Sequence, residues 1–226
     1  MSASLTWPGV LDADLLKDEV VSRNHRLADA AKAARWAEVF DALDLAWVSV
    51  NQWRLGGRSW FTPLHQAAWH GATTSVVETL VERGALRGLA ASAGQTAYDV
   101  ALARGHTHLL EPLTPPPTRL TPQRTADLER GLGEVIDGRL RLPGGLAESY
   151  GKPLEECLRY PPVAVLAECP GQRLWFAVPG MYGGFSIRLM SGGYLFVESW
   201  IRVVGDSGQA HVVTHERVTL VDEGFV

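Results

Sequence analysis

The chain has 226 residues, of which 46% are apolar and 20% charged. That is enough length for one large domain or two small ones, and enough apolar surface for packed cores, which argues against global disorder. Its net charge of −4 lacks the basic surplus with which a nucleic-acid binder neutralises phosphates.

Two cysteines, Cys157 and Cys169, are too few for a disulfide-stapled secreted scaffold. No apolar run reaches the length that crosses a bilayer. The start, MSASLTWPGVLDADLLKDEVV, has no basic stretch leading into an uninterrupted apolar one. The expectation is a cytoplasmic protein with reduced thiols and with neither a membrane nor a nucleic acid as partner.

In chain order, residues 1–23 read as an irregular N-terminal segment. Residues 24–113 read as helices, because apolar and Ala positions recur at helical spacing in LADAAKAARWAEVFDAL, HQAAWHGATTSVVETLVERG and AYDVALARGHTHLLEPL. Pro112-Leu113-Thr114-Pro115-Pro116-Pro117 cannot continue a helix, since proline lacks the amide hydrogen and fixes φ. Residues 114–121 are therefore a linker, and residues 122–226 a second domain. Thr121-Pro122 has the form of an N-cap followed by proline in the first turn, which predicts a helix through QRTADLERGLGEVIDGRL. From Val163 the period changes to two. VAVLAEC, LWFAVP, GFSIRLM, YLFVESWIRVV and QAHVVTHERVTLV read as strands of an antiparallel sheet, with Ser191-Gly192-Gly193 and Gly205-Asp206-Ser207-Gly208 as tight turns.

Self-comparison finds a repeat. TPLHQAAWHG at Thr62 and TAYDVALARG at Thr96 lie 34 positions apart, with Gly71 and Gly105 at the same offset; LADAAKAARW at Leu27 aligns with Leu64 at an offset of 37. The middle copy resembles the ankyrin repeat. Thr62-Pro63-Leu64-His65 matches that family's Thr-Pro-Leu-His, Ala67-Ala68 the small pair between paired helices, and Gly71 the helix-ending glycine. Val76-Val77 and Leu80-Val81 match the second helix, Gly84-Ala85 the next turn, and Val50-Asn51 the Val-Asn before a finger. The first copy has Ala34 where Gly is usual, and the third has Ala97-Tyr98-Asp99 after its Thr, as terminal copies with one side facing water do. The pattern of the second half predicts a small antiparallel-sheet domain with a helix. The resemblance implies that an N-terminal ankyrin-repeat α-solenoid of about three repeats precedes it, giving an α+β chain of two domains. It also implies that His65 ties neighbouring repeats together.

Ankyrin repeats bind proteins through fingers and inner helices, so the resemblance implies a protein partner. The finger between Asn51 and Thr62 is longer than its family equivalent and carries Trp53, Arg54, Arg58 and Trp60, residue types enriched at binding hot spots. Trp69, His70, Ala103 and Arg104 match inner-helix positions, and Ser92, Ala93 and Gln95 a third finger. The Arg/Trp mixture suits a carboxylate-bearing surface. One concrete version is a bacterial immunity or antitoxin-like inhibitor that occludes a toxin's active site. The competing reading is an enzyme with its site in the strand-rich half and the repeats for targeting.

For the second half, chemistry is sparse. His211 and His215 lie four apart in an expected strand, but no Cys or His pair has the usual zinc spacing, so neither metal nor cofactor is expected. Cys157 or Cys169 with His211 as nucleophile and base has no local support. Pro179-Gly180-Met181-Tyr182-Gly183-Gly184-Phe185 is glycine-rich without the Lys-Ser/Thr ending of a phosphate loop. Met181 and Tyr182 are its candidate functional residues.

Overall fold

The computed structural model describes residues 5–142, 145–201 and 207–224. The chain divides into two compact units, Leu11–Pro116 and Met1–Val10 with Pro117–Val226.

Leu11–Pro116 is helical. Helices α1 (Asp18–Lys32) and α2 (Trp36–Leu43) form a first pair, α3 (Pro63–His70) and α4 (Thr74–Glu82) a second, and α5 (Ala97–Ala103) and α6 (Leu110–Leu113) a third. Helices α1 and α5 both pack on α3. Small residues allow that approach, for Ala30, Ala31, Ala67, Ala68, Ala97 and Ala101 are all buried in one core with Leu27, Leu64, Val77, Leu80 and Leu109. Each buried leucine contributes about 1.5–3 kcal/mol.

The turns inside the three pairs are built alike. Ala34, Gly71 and Gly105 sit at φ +54°, +62° and +75°. The amides that follow them reach back to the helix they leave: Arg35 to the Ala30 carbonyl at 3.0 Å, Ala72 to Ala67 at 3.0 Å and His106 to Ala101 at 2.9 Å. This is the six-to-one bond of a left-handed helix stop. At the start of α5, Thr96 N–H donates to Asp99 Oδ2 at 2.8 Å and Asp99 N–H to Thr96 Oγ1 at 3.3 Å, a reciprocal cap. Before α3 the same place is held by Thr62 and His65.

The second unit is a sheet with helix α7 (Pro122–Leu140) against it, started by Thr121, whose Oγ1 accepts from Arg124 N–H at 3.3 Å. Its strands are β1 (Leu5–Trp7), β2 (Arg173–Val178), β3 (Gly183–Leu189), β4 (Leu195–Ile201), β5 (Ser207–Val213) and β6 (Val218–Glu223), in spatial order β1-β2-β3-β4-β5-β6. Strand β1 runs parallel to β2, with Leu5 opposite Leu174 and Trp7 opposite Phe176, and the other pairs are antiparallel. One face aligns Leu174, Ile187, Val197 and His211, and next to them Phe176, Phe185 and Ser199. Helix α7 packs on β4, β5 and β6. At Gly131 it comes so close that an added Cβ would lie 2.5 Å from Val213 Cγ1, which is why a glycine stands mid-helix there.

The fold-class expectation, an N-terminal ankyrin-repeat α-solenoid followed by a small antiparallel-sheet domain with a helix, is corrected. The sheet has six strands and is mixed, because the chain's start joins it parallel to β2. The helices of Leu11–Pro116 make a compact unit of packed pairs. Two local expectations change as well. VAVLAEC is not a strand but a 3-10 helix, Val163–Glu168, with Val163, Val165 and Leu166 buried. Its apolar run after Pro161-Pro162 fits either structure by periodicity alone. His215 lies beyond the end of β5 in a turn, so it does not share a strand face with His211. Of the expected turn Gly205-Asp206-Ser207-Gly208, the first two residues lie outside the described residues. The turn at Ser191-Gly192-Gly193 joins β3 to β4, with Gly193 at φ +71°.

Candidate functional site

The candidate site lies on the helical unit and starts from the Thr-Pro-Leu-His segment. Thr62 N–H and Oγ1 face His65 Nδ1 at 3.4 and 2.9 Å, and His65 Nε2 faces the Gln95 carbonyl at 3.2 Å. With Nδ1 accepting, Nε2 carries the proton and donates to Gln95. His65 is buried, so it is a structural tie between the start of α3 and the segment before α5. The Gln95 carbonyl also accepts from Ala91 N–H at 2.8 Å, and Ser92 N–H donates to the Ser59 carbonyl at 3.0 Å. These bonds hold the 51–62 and 86–96 loops side by side. Asn51 adds a clamp, donating Nδ2–H to the Gly84 carbonyl and accepting from Leu86 N–H, both at 2.8 Å.

On this frame the sequence-derived residues separate. Trp53 is 2% exposed. Its expected role as a surface anchor is corrected, because a ring that meets no solvent offers no face to a partner. Trp60 is half-buried at φ +55°, its ring 6.3 Å from that of Trp53. Arg54 is exposed but ion-paired with Asp29. Arg58 is exposed and makes no ion pair among the described residues. Ser92 and Gln95 are exposed, their backbones engaged as above.

Trp69 and Arg104 are brought together. Trp69, near the end of α3, is 42% exposed, with Phe61 edge-on at 6.2 Å. The Arg104 guanidinium, just past α5, lies 4.1 Å from the Trp69 ring centroid, a cation over an aromatic face. The Trp69 carbonyl faces His106 Nε2 at 3.3 Å, and exposed His70 sets its Nε2 2.9 Å from the Lys32 carbonyl. Trp69 is thus fixed from the ring side and the backbone side. Leu102, two positions before Arg104, is 54% exposed. Trp47, which the sequence reading passed over, is 82% exposed at φ +67°. No local signal marks it, since the left-handed turn after α2 is made without glycine.

The sheet unit's candidates also part. Met181 is 2% exposed and Tyr182, at φ +51°, is 75% exposed. The loop joins β2 to β3, and Tyr150 donates its hydroxyl to the Pro179 carbonyl at 2.6 Å. Cys157 and Cys169 are buried; burial pushes the Cys169 thiol up to about 12, away from a nucleophile's range. His211 is half-buried in β5. Burial first, then neighbouring Arg139, holds it below the ordinary imidazole value. Arg139 of α7 donates through Nη2 to the Ser207 carbonyl and Oγ, both at 2.9 Å. Among the described residues no three His, Cys, Asp or Glu side chains gather as a metal ion would require, and no helix is long and apolar enough to cross a membrane.

Comparison with protein-family models finds no match, and comparison with curated proteins finds none either.

Proposed function

We propose that this chain is a protein-binding protein whose helical unit grips a carboxylate-bearing partner through Trp69 and Arg104. The observation that carries the reading is the exposed pair, with the guanidinium carbon 4.1 Å from the ring centroid. A guanidinium engaged by the π face of a ring keeps its five N–H donors for other partners. Arg104 makes no side-chain hydrogen bond or ion pair among the described residues. It is therefore held in place with its donors still available for a bidentate bond to a carboxylate. Trp and Arg are also the side chains that most often dominate binding energy. Kinship with ankyrin-repeat proteins is part of the same proposal, supported by the Thr62–His65–Gln95 tie and the like-built turns at Ala34, Gly71 and Gly105. An inhibitor that covers a partner's active site is the concrete form we favour.

The test is a binding titration with the partner recovered from the source cells and purified. Trp69→Ala and Arg104→Ala should each weaken binding by tenfold or more, since a hot spot is worth at least about 2 kcal/mol. Arg54→Ala, whose charge is already engaged by Asp29, should change it little. A Kd within twofold of the parent for both Trp69→Ala and Arg104→Ala rejects the site.

A further inference from the structure

We propose that β6 is a self-pairing edge, through which two copies of this chain join their sheets antiparallel about a two-fold axis. Strand β6 ends the strand order, and among the described residues no strand lies on its outer side. Thr219 to Glu223 are all exposed, with Leu220 at 46% and Val221 at 51%. An open edge offers a row of backbone donors and acceptors, and natural edges are commonly blunted by proline, lysine or a bulge. Here VTLVDE contains neither proline nor lysine. The register does shift once, opposite Ala210 and His211, where Leu220 and Asp222 are paired but Val221 is not. Helix α7 backs the edge closely: the Cβ absent from Gly131 would come within 3.2 Å of Val218 Cγ2.

The charges choose the occupant. Arg217 stands just before the strand and has no ion pair among the described residues. Glu216 of the same turn lies 3.5 Å from His215 Nε2, an ion pair when the imidazole is protonated. Asp222 and Glu223 close the other end; Asp222 Oδ1 accepts from the Glu223 amide at 2.9 Å, and Glu223 accepts from Gln209 Nε2 at 2.7 Å and lies in the field of Arg139. The edge thus carries an arginine just before its start, apolar side chains in its middle and two carboxylates at its end. Reversed, this order complements itself. An antiparallel copy sets Arg217 against Asp222 and Glu223 twice, once at each end of a two-fold interface. A parallel copy would set like against like. The proposal concerns the sheet unit and does not depend on the Trp69–Arg104 reading.

Sedimentation velocity of the full chain at low salt tests it. The mass should rise from 24.6 kDa toward twice that across the micromolar range, and fall back at high salt as the end charges are screened. Arg217→Glu alone, and Asp222→Lys with Glu223→Lys, should each stay monomeric, while an equimolar mixture of the two should recover the dimer. In the parent chain, amide exchange at Thr219 to Val221 should slow as concentration rises, a readout that needs no variant. A parent chain that stays monomeric, a dimer that persists in both charge variants, or concentration-independent exchange in β6 each overturns the proposal.

Discussion

Replacing Asn51 with alanine removes the clamp that sets the loop after α4. Asn51 is 2% exposed, donates to the Gly84 carbonyl and accepts from Leu86 N–H. The two losses are unequal. Gly84 is exposed, so its carbonyl turns to water and forfeits only the net worth of one hydrogen bond, about 0.5–1.5 kcal/mol. Leu86 is 4% exposed, so its amide is left buried without a partner at a cost of about 1–3 kcal/mol. The sum is about 1.5–4.5 kcal/mol, a large part of the roughly 5–15 kcal/mol that holds an ordinary domain folded. Urea unfolding followed by tryptophan fluorescence measures it. Native-state hydrogen exchange assigns it, because the Leu86 amide should lose protection in Asn51→Ala. Exposed Glu82→Ala is the control and should stay within about 0.5 kcal/mol of the parent. An Asn51→Ala chain as stable as that control, with Leu86 still protected, refutes the reasoning.

Ala34 at φ +54° carries a strain of about 1–2 kcal/mol that glycine escapes. After the extra unfolded-state freedom of glycine, about 0.4–1 kcal/mol, Ala34→Gly should stabilise the helical unit in the same urea assay; destabilisation would show that the turn is not strained. His211 titrates below its ordinary value because it is buried and faces Arg139. The unfolded chain therefore takes up the proton first, and stability, complete above the ordinary imidazole pKa near 6.5, falls as pH drops through it. The melting temperature should drop less between pH 7 and 5 in His211→Gln than in the parent, and equal drops would refute the assignment. With its thiol pushed up to about 12, Cys169 should resist a disulfide reagent at pH 8, as should fully buried Cys157. Both should react on unfolding, and rapid labelling of the native chain would contradict this.

Features made by neighbours in the chain were legible in the sequence. The proline-rich break, the cap at Thr121, the helix stops at Gly71 and Gly105 and the glycine turn between β3 and β4 all depend on a few consecutive residues. Ala34 was legible as a departure from glycine, and the structure shows it holding the same left-handed stop at a strain. What depends on distant partners was not legible. Strand β1 is three residues long and exists because Leu5–Trp7 meets β2, more than 160 positions later. The 163–168 run is apolar enough for a strand, yet it forms a 3-10 helix packed against α7 and β3. Exposure is likewise set by the fold. Nothing adjacent to Trp53 or Trp69 in the sequence says that the first is buried and the second is not.

That difference separates the aromatic and cationic residues on which the proposed site rests from those it leaves out. Trp53 and Arg54 are neighbours, yet one is buried and the other has its charge answered by Asp29. Trp47 is far more exposed than Trp69, but no cation lies over its ring among the described residues. Trp69 sits between these cases. Phe61 meets it edge-on, His106 faces its carbonyl and Arg104 covers it, so little side-chain freedom remains to be lost when a partner binds. The proposed anchor rests on these two features: a ring contacted from several sides, and a guanidinium with no side-chain partner among the described residues apart from that ring.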